Sequence, residues 1–312
     1  MRSFKEFMAR RPDFLPTRKS NTDELLEGGL HFRRMTFLFG PPKTGKTTWV
    51  LDQIVIPMLL HDKVRVIFFS LEMPKDIIIE KMMVCLASDL EGAPTFGQWM
   101  RRHEEPLSPE AQKALALAYD MVNRHLEEGN LIIIDTPTDP RDVEEVIRRA
   151  HKERGLPIDG WRMVVIWDHV LRSAVGNSAK ERIDISVEVL SHLRTKKTPI
   201  ALVLLGHTNR DYLSSKYEFM MPESLHVFGS SVPEQTADLM INIFNPKAIK
   251  GLAKHWGIYP QECRNYVLMQ RVLSRYGTPM TNKALFYEYL GEYSRFKGTE
   301  PHLLMGESQT PF

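Results

Sequence analysis

The residues with the clearest chemical reading are Gly40, Pro41, Pro42, Lys43, Thr44, Gly45, Lys46, Thr47 and Thr48, a complete G-x-x-x-x-G-K-T run. Such a loop binds phosphate when it turns from a strand into a helix. Several backbone N–H groups and a helix N-terminus then converge on one anion. Both flanks fit, since apolar residues 35–39 lead in and the helix-like stretch 47–60 follows. In that setting Lys46 reaches the β- and γ-phosphates of a nucleoside triphosphate, and the Thr47 hydroxyl ligates Mg²⁺. Pro41 and Pro42 carry no N–H, but they stand at the front of the loop. The donors are expected from the amides of Thr44 to Thr48.

Hydrolysis needs two further groups: a carboxylate that holds Mg²⁺ at the end of a neighbouring strand, and a group that orients the attacking water. Two apolar segments end in aspartate, residues 131–135 (LIIID) and 164–168 (VVIWD). Asp135 runs into the turn Thr136-Pro137-Thr138-Asp139-Pro140, which opens a well-capped helix and gives that aspartate a structural use. Asp168 is followed by His169 and a long polar stretch, which gives no such use, so the residues favour Asp168. For the water, Glu72 lies just past another apolar run, where a parallel sheet presents its C-terminal edge to ligand. Taken alone, Glu72 serves equally well as a glutamate favouring the N-terminus of the helix that follows. Finally, Gly206-His207-Thr208-Asn209-Arg210 ends a further buried run. Polar residues there suit a sensor of the γ-phosphate, and a satisfied surface histidine is an even alternative for His207 taken in isolation.

These groups must be positioned by an ordered set of strands. Apolar, β-branched runs occur at 35–39, 64–70, 131–134, 163–167, 200–205, 239–244, 266–270 and 285–289. They are continuous rather than alternating, which means burial on both faces and hence an α/β fold with a mostly parallel central sheet flanked by helices. Amphipathic helices are expected over 109–128 and 141–154, the second with Asp139 as N-cap and Pro140 at its first position. The expected organisation is an N-terminal helix and linker over 1–30, a single nucleotide-binding domain over 31–297, and a flexible tail over 298–312.

The bulk properties exclude several classes. With 43% apolar and 26% charged residues in 312, the chain is ordinary for a soluble globular protein. The net charge of +2 is too small to imply nucleic acid, so any such surface must be a local patch. Cys85 and Cys263 form no metal or redox motif and read as packing residues of a reducing compartment. No apolar stretch approaches membrane-spanning length and the N-terminus has no signal-peptide core, so a cytoplasmic protein without membrane association is expected.

The order and spacing of these segments resemble the RecA-like P-loop ATPase domain of DnaB-type replicative helicases, over about residues 20–297. Gly28-Gly29-Leu30 looks like that family's entry segment, and Phe69-Ser70-Leu71-Glu72-Met73 closely matches its second-strand motif. The run 131–137, a helix and then 164–168 is similar to the family's accessory strand, helix and Walker B strand, which assigns the Mg²⁺ carboxylate to Asp168. Residues 205–210 resemble a motif that normally carries glutamine where His207 stands; a histidine there looks like the phage primase-helicase branch. Gly229-Ser230-Ser231 followed by Glu234-Gln235-Thr236-Ala237-Asp238 looks like a segment near the nucleic-acid channel. The family's Lys-x-Arg-Asn-Gly element, whose arginine reaches a neighbour's nucleotide, is matched only in part. Arg275, with Gly277 after it, fits better than Arg271, and the usual lysine is missing from both registers.

The resemblance implies a ring-forming ATPase, a homo-oligomer and by analogy a hexamer, with ATP and Mg²⁺ bound between subunits. Lys46, Thr47, Glu72 and Asp168 then come from one subunit, His207 senses the γ-phosphate, and Arg275 or Arg271 comes from the next. Single-stranded DNA would pass through the ring along residues 172–182, with Lys180, and residues 210–227, with Lys216 and Tyr217. The expected activity is that of an ATP-driven translocase or helicase in DNA replication. Alternatives are a recombination mediator and a nucleotide-switched assembly protein, neither of which unwinds. Unlike that family, only about 30 residues precede the ATPase core here, and no residues point to a primase or a loader.

Overall fold

In the computed structural model, residues 13–209, 222–245, 265–280 and 283–299 are described. The apolar runs become strands: β1 (Phe14–Leu15), β2 (Leu30–His31), β3 (Met35–Gly40), β4 (Val64–Ser70), β5 (Leu131–Ile134), β6 (Arg162–Asp168), β7 (Ile200–His207), β8 (Leu239–Phe244), β9 (Tyr266–Ser274), β10 (Leu285–Leu290) and β11 (Arg295–Thr299). Strands β1 and β2 pair with each other. The remaining nine form one sheet in the order β11-β10-β9-β8-β3-β7-β6-β4-β5. From β8 to β5 every pairing is parallel, and β9, β10 and β11 close the other edge antiparallel. The expected α/β class is the one observed.

Strand geometry sends alternate side chains to opposite faces. One face carries Leu38, Phe68, Ile166, Val203 and Ile241 against Trp49, Ile54, Met58, Ile78 and Met82 of the helices on that side. The other carries Phe37, Phe69, Val165, Leu204 and Met240 against Val143, Ile147, Ile183, Val187 and Leu190. Both faces are dry, which is why these strands read as unbroken apolar runs.

The helices begin where the sequence supplies caps. Ser108 accepts the Ala111 N–H at 3.1 Å and Pro109 opens the helix Pro109–Glu127. Asp139 accepts the Arg141 N–H at 2.9 Å as expected, but the turn Pro140–Asp142 that follows is a 3₁₀ helix, so the α-helix runs Val143–Glu153 and not from 141. After the glycine-rich loop, Lys46–Val50 passes through a π-helical turn, Leu51–Val55, into Ile56–Leu59. Pro57 explains the widening. In a regular α-helix its ring would press on the Gln53 carbonyl and it has no N–H to give.

The antiparallel edge is tied to this helix by polar groups inside the core. Asp52, 3% exposed, accepts the Phe296 N–H at 2.7 Å, while Gln53 donates to the Phe296 carbonyl at 2.8 Å. The two side chains pair with Phe296 as a neighbouring strand would. Residues 14–31 lie on the same side, with Leu25 and Leu26 in the core and Thr22 bonded to Gln53 and Tyr287. Residues 1–12 of the expected N-terminal helix and linker and residues 300–312 of the expected tail lie outside the described residues, as does Cys263.

At the N-terminal ends of two central strands Asp238 joins β3 to β8. Its carboxylate accepts the Met35 N–H at 2.9 Å and the Arg194 guanidinium at 2.5 Å, and it is 4% exposed. Removing it leaves a half-buried cation and a buried N–H without their acceptor. Asp238→Ala is therefore expected to cost about 3 kcal/mol of unfolding free energy in urea denaturation. A change below about 0.5 kcal/mol, the range of an ordinary surface substitution, would contradict this role.

Candidate functional site

Strand β3 delivers the glycine-rich loop to the C-terminal edge of the parallel sheet, between β7 and β8. Gly40 passes so close to β8 that a Cβ there would stand 2.1 Å from the Ile243 carbonyl oxygen. Gly45 adopts φ +86°, and a Cβ would meet the Phe296 ring at 2.9 Å. Behind it Phe296 stacks on Tyr289 with centroids 4.5 Å apart. Two positions thus demand glycine for different reasons: close approach at Gly40, and left-handed backbone against an aromatic wall at Gly45.

Lys46 folds back over its own loop. Its Nζ donates to the Gly40 and Pro41 carbonyls at 2.9 and 2.8 Å, and the Thr44 hydroxyl donates to the Pro41 carbonyl at 2.8 Å. Pro41 therefore contributes an acceptor, a role its missing N–H does not hinder. Burial pushes the Lys46 ammonium down to about 8, against the pull of Asp168 and Glu72. The Thr47 hydroxyl donates to Asp168 Oδ2 at 2.6 Å. Burial pushes the Asp168 carboxyl up to about 6; the Thr47 bond opposes that, Glu72 adds to it and Lys46 opposes it. A buried cation short of an anion beside a buried carboxylate short of a cation is the donor set that a phosphate with a divalent metal satisfies.

Asp168 and Asp135 separate clearly. Asp168 ends β6 and reaches Thr47, whereas Asp135 lies beyond the outermost strand and accepts the Lys75 N–H at 2.8 Å at the start of the helix Lys75–Ala87. Glu72, just past β4, is exposed, and its charge is felt at both Lys46 and Asp168. His207 ends β7 opposite Gly40 in the register. Burial, followed by the nearby Lys46 charge, lowers its imidazole to about 4, so the ring is neutral at physiological pH. Lys43 and Thr44 also border a cleft of about 300 Å³ with Asn245, Asn265, Tyr289 and Glu292.

Arg271 and Arg275 stand away from this cluster. Ser274 pairs with Leu239 at the start of β8, so Arg275 lies at the opposite sheet edge, roughly 17 Å along the strands from the loop. Arg271 is held within its own chain by the Glu24, Leu25 and Thr278 carbonyls. The Arg275 guanidinium donates to the Gln235 carbonyl at 2.7 Å and remains half exposed, 3.9 Å from Asp238. In the 172–182 segment Arg172 is exposed beside His169 and His207, and Lys180 pairs with Asp184 at 2.6 Å. Residues 210–221, with Lys216 and Tyr217, lie outside the described residues; on either side of them Thr208 and Val227 form a bridge.

Sequence reasoning missed Asp52, Gln53, Phe296 and His169. The adjacent polar pair Asp52-Gln53 inside an otherwise apolar helix was the available signal. The others depend on contacts far apart in the chain.

The family model described as DnaB-like helicase C terminal domain matches residues 15–296. Two solved structures share the fold. The ATPase domain of G40P has a TM-score of 0.74 and 17% identity, over 95% of this chain and 96% of that one. A DnaB-like replicative helicase solved for its interactions with primase has a TM-score of 0.73 and 17% identity, over 95% of this chain. This chain spans 66% of that protein's length. No curated protein matches the sequence. Among the described residues, no helix is long and apolar enough to cross a membrane.

Proposed function

The chain belongs to the DnaB-like helicase C-terminal domain family, a family of ATP-hydrolysing helicase domains, and we propose that it is the motor of a ring that moves along single-stranded DNA in replication. One observation carries this reading. Lys46, Thr47, Glu72 and Asp168 gather at the C-terminal edge of the parallel sheet, while Arg275 lies a strand's length away at the other end and Arg271 stands opposite Ile241 in mid-strand. A site of this kind is completed only when a second copy brings its arginine edge to the first copy's loop.

ATP would supply the phosphoryl group, and Mg²⁺, when bound, would neutralise charge on the phosphates. The loop amides and Lys46 bind and orient the phosphates, Lys46 exchanging its two loop carbonyls for phosphate oxygens. Thr47 and Asp168 are the residues that would hold the metal. Glu72 orients the attacking water and accepts its proton. Arg275 of a second copy stabilises charge developing on the γ-phosphate, with Arg271 the less available alternative. His207, opposite Gly40 and leading to the Thr208–Val227 bridge, senses the γ-phosphate and passes its loss to residues 210–221. That segment and residues 172–182 face the DNA, contacting phosphate without reading sequence. Six copies fit the ring reading, the protein working in the cytoplasm; a primase or loader has no residues assigned to it.

Mixing Lys46→Ala subunits with Arg275→Ala subunits tests the shared site. Each variant alone is expected to be inactive, and ATPase activity is expected to reappear on mixing, because the intact loop of an Arg275→Ala copy meets the intact arginine of a Lys46→Ala copy. No activity from the mixture, or full activity from pure Arg275→Ala, overturns the assignment.

A further inference from the structure

Two buried ring nitrogens on touching side chains point to a role for His169. This residue follows Asp168 at the end of β6 and is 2% exposed. Its Nδ1 accepts the Leu171 N–H at 3.2 Å, so its proton resides on Nε2. That Nε2–H is buried and has no hydrogen-bond partner. Its ring lies against His207, with centroids 3.9 Å apart and planes at 47°. His207 Nδ1 is likewise buried and without a partner. An unpaired buried donor therefore sits beside an unpaired buried ring nitrogen, and a turn about χ2, a soft torsion in histidine, brings them together.

We propose that His169 fixes the tautomer of His207: His169 Nε2–H donates to His207 Nδ1, which obliges His207 to carry its proton on Nε2. His207 then presents a donor toward the Gly40–Lys46 side, where the γ-phosphate is read. His169 is a positioning residue. It orients and polarises the histidine that makes the contact, as the outer partners of ligand histidines do elsewhere. The proposal rests on the reading that His207 faces the γ-phosphate.

The test uses the full chain with ATP and Mg²⁺. His169→Phe keeps a ring in place but removes the donor. It is expected to lower kcat about 10- to 100-fold while leaving ATP affinity within about threefold. His169→Gln, whose amide nitrogen falls near the position of Nε2, is expected to restore kcat to within about fivefold of the parent. His169→Asn, whose amide matches Nδ1, is not expected to restore it. Combining His169→Phe with His207→Ala is expected to be no worse than His207→Ala alone, because both remove one interaction. Parental kcat in His169→Phe, or equal rescue by Gln and Asn, overturns the proposal. Parental kcat in His207→Ala overturns the underlying reading instead. Should the variants fail to fold, ¹⁵N-histidine NMR of the unaltered protein with a non-hydrolysable ATP analogue decides the matter. An unprotonated, hydrogen-bonded Nδ1 on His207 is expected, and a protonated Nδ1 overturns the proposal.

Discussion

Lys46→Ala is expected to lower ATP turnover by at least about 1000-fold, to the background of the phosphate-release assay. The lysine is 6% exposed, and its ammonium is held only by the Gly40 and Pro41 carbonyls. It is therefore a buried charge whose hydrogen-bond partners are neutral carbonyls, with the Asp168 and Glu72 carboxylates acting only through their field. Alanine removes the charge that orients the β- and γ-phosphates. ATP affinity should fall together with turnover, because the interaction is made in the bound state as well as in the transition state. The fold should persist, since the loop is also framed by the Gly40 contact with β8 and the Phe296 wall. Turnover within tenfold of the parent, in a protein that melts like the parent, would remove the loop from the chemistry.

Glu72→Gln is expected to separate binding from hydrolysis. The side chain is exposed at the sheet edge and acts on Lys46 and Asp168 through its field. Glutamine preserves its shape but accepts no proton, so kcat should fall about 100- to 10,000-fold while ATP still binds. Nucleotide binding measured beside single-turnover hydrolysis gives both numbers. Hydrolysis at the parent rate would mean that another group positions the water.

The glycine-rich loop was legible because its form is local: nine consecutive residues, a strand before and a helix after. The parallel part of the sheet was legible for a related reason, since strands buried on both faces leave continuous apolar runs. Asp135 shows where such reasoning weakens. Its neighbours 136–140 suggested service to the following helix, but its carboxylate instead takes the N–H of Lys75, which precedes it by sixty residues. The π-helical turn is explained by Pro57 only once Gln53 is known to bond β11. Likewise, the clamp of Asp52 on Phe296, which stiffens the wall behind Gly45, joins residues 244 positions apart. Hydrophobic period carries no information about such pairs. The difference between Arg271 and Arg275 was also hidden, because it depends on which main-chain carbonyls happen to lie within reach of each guanidinium.

The central claim is a motor that couples ATP hydrolysis to movement on single-stranded DNA. Its most direct test measures ATP turnover with and without single-stranded DNA, beside strand separation of a forked duplex, using Glu72→Gln as the control. The account predicts that single-stranded DNA stimulates turnover, and that the fork is unwound only with hydrolysable ATP and an intact Glu72. Stimulation without unwinding would contradict the helicase and favour a mediator that coats DNA. Turnover indifferent to DNA would contradict the motor altogether and leave a nucleotide-switched assembly protein.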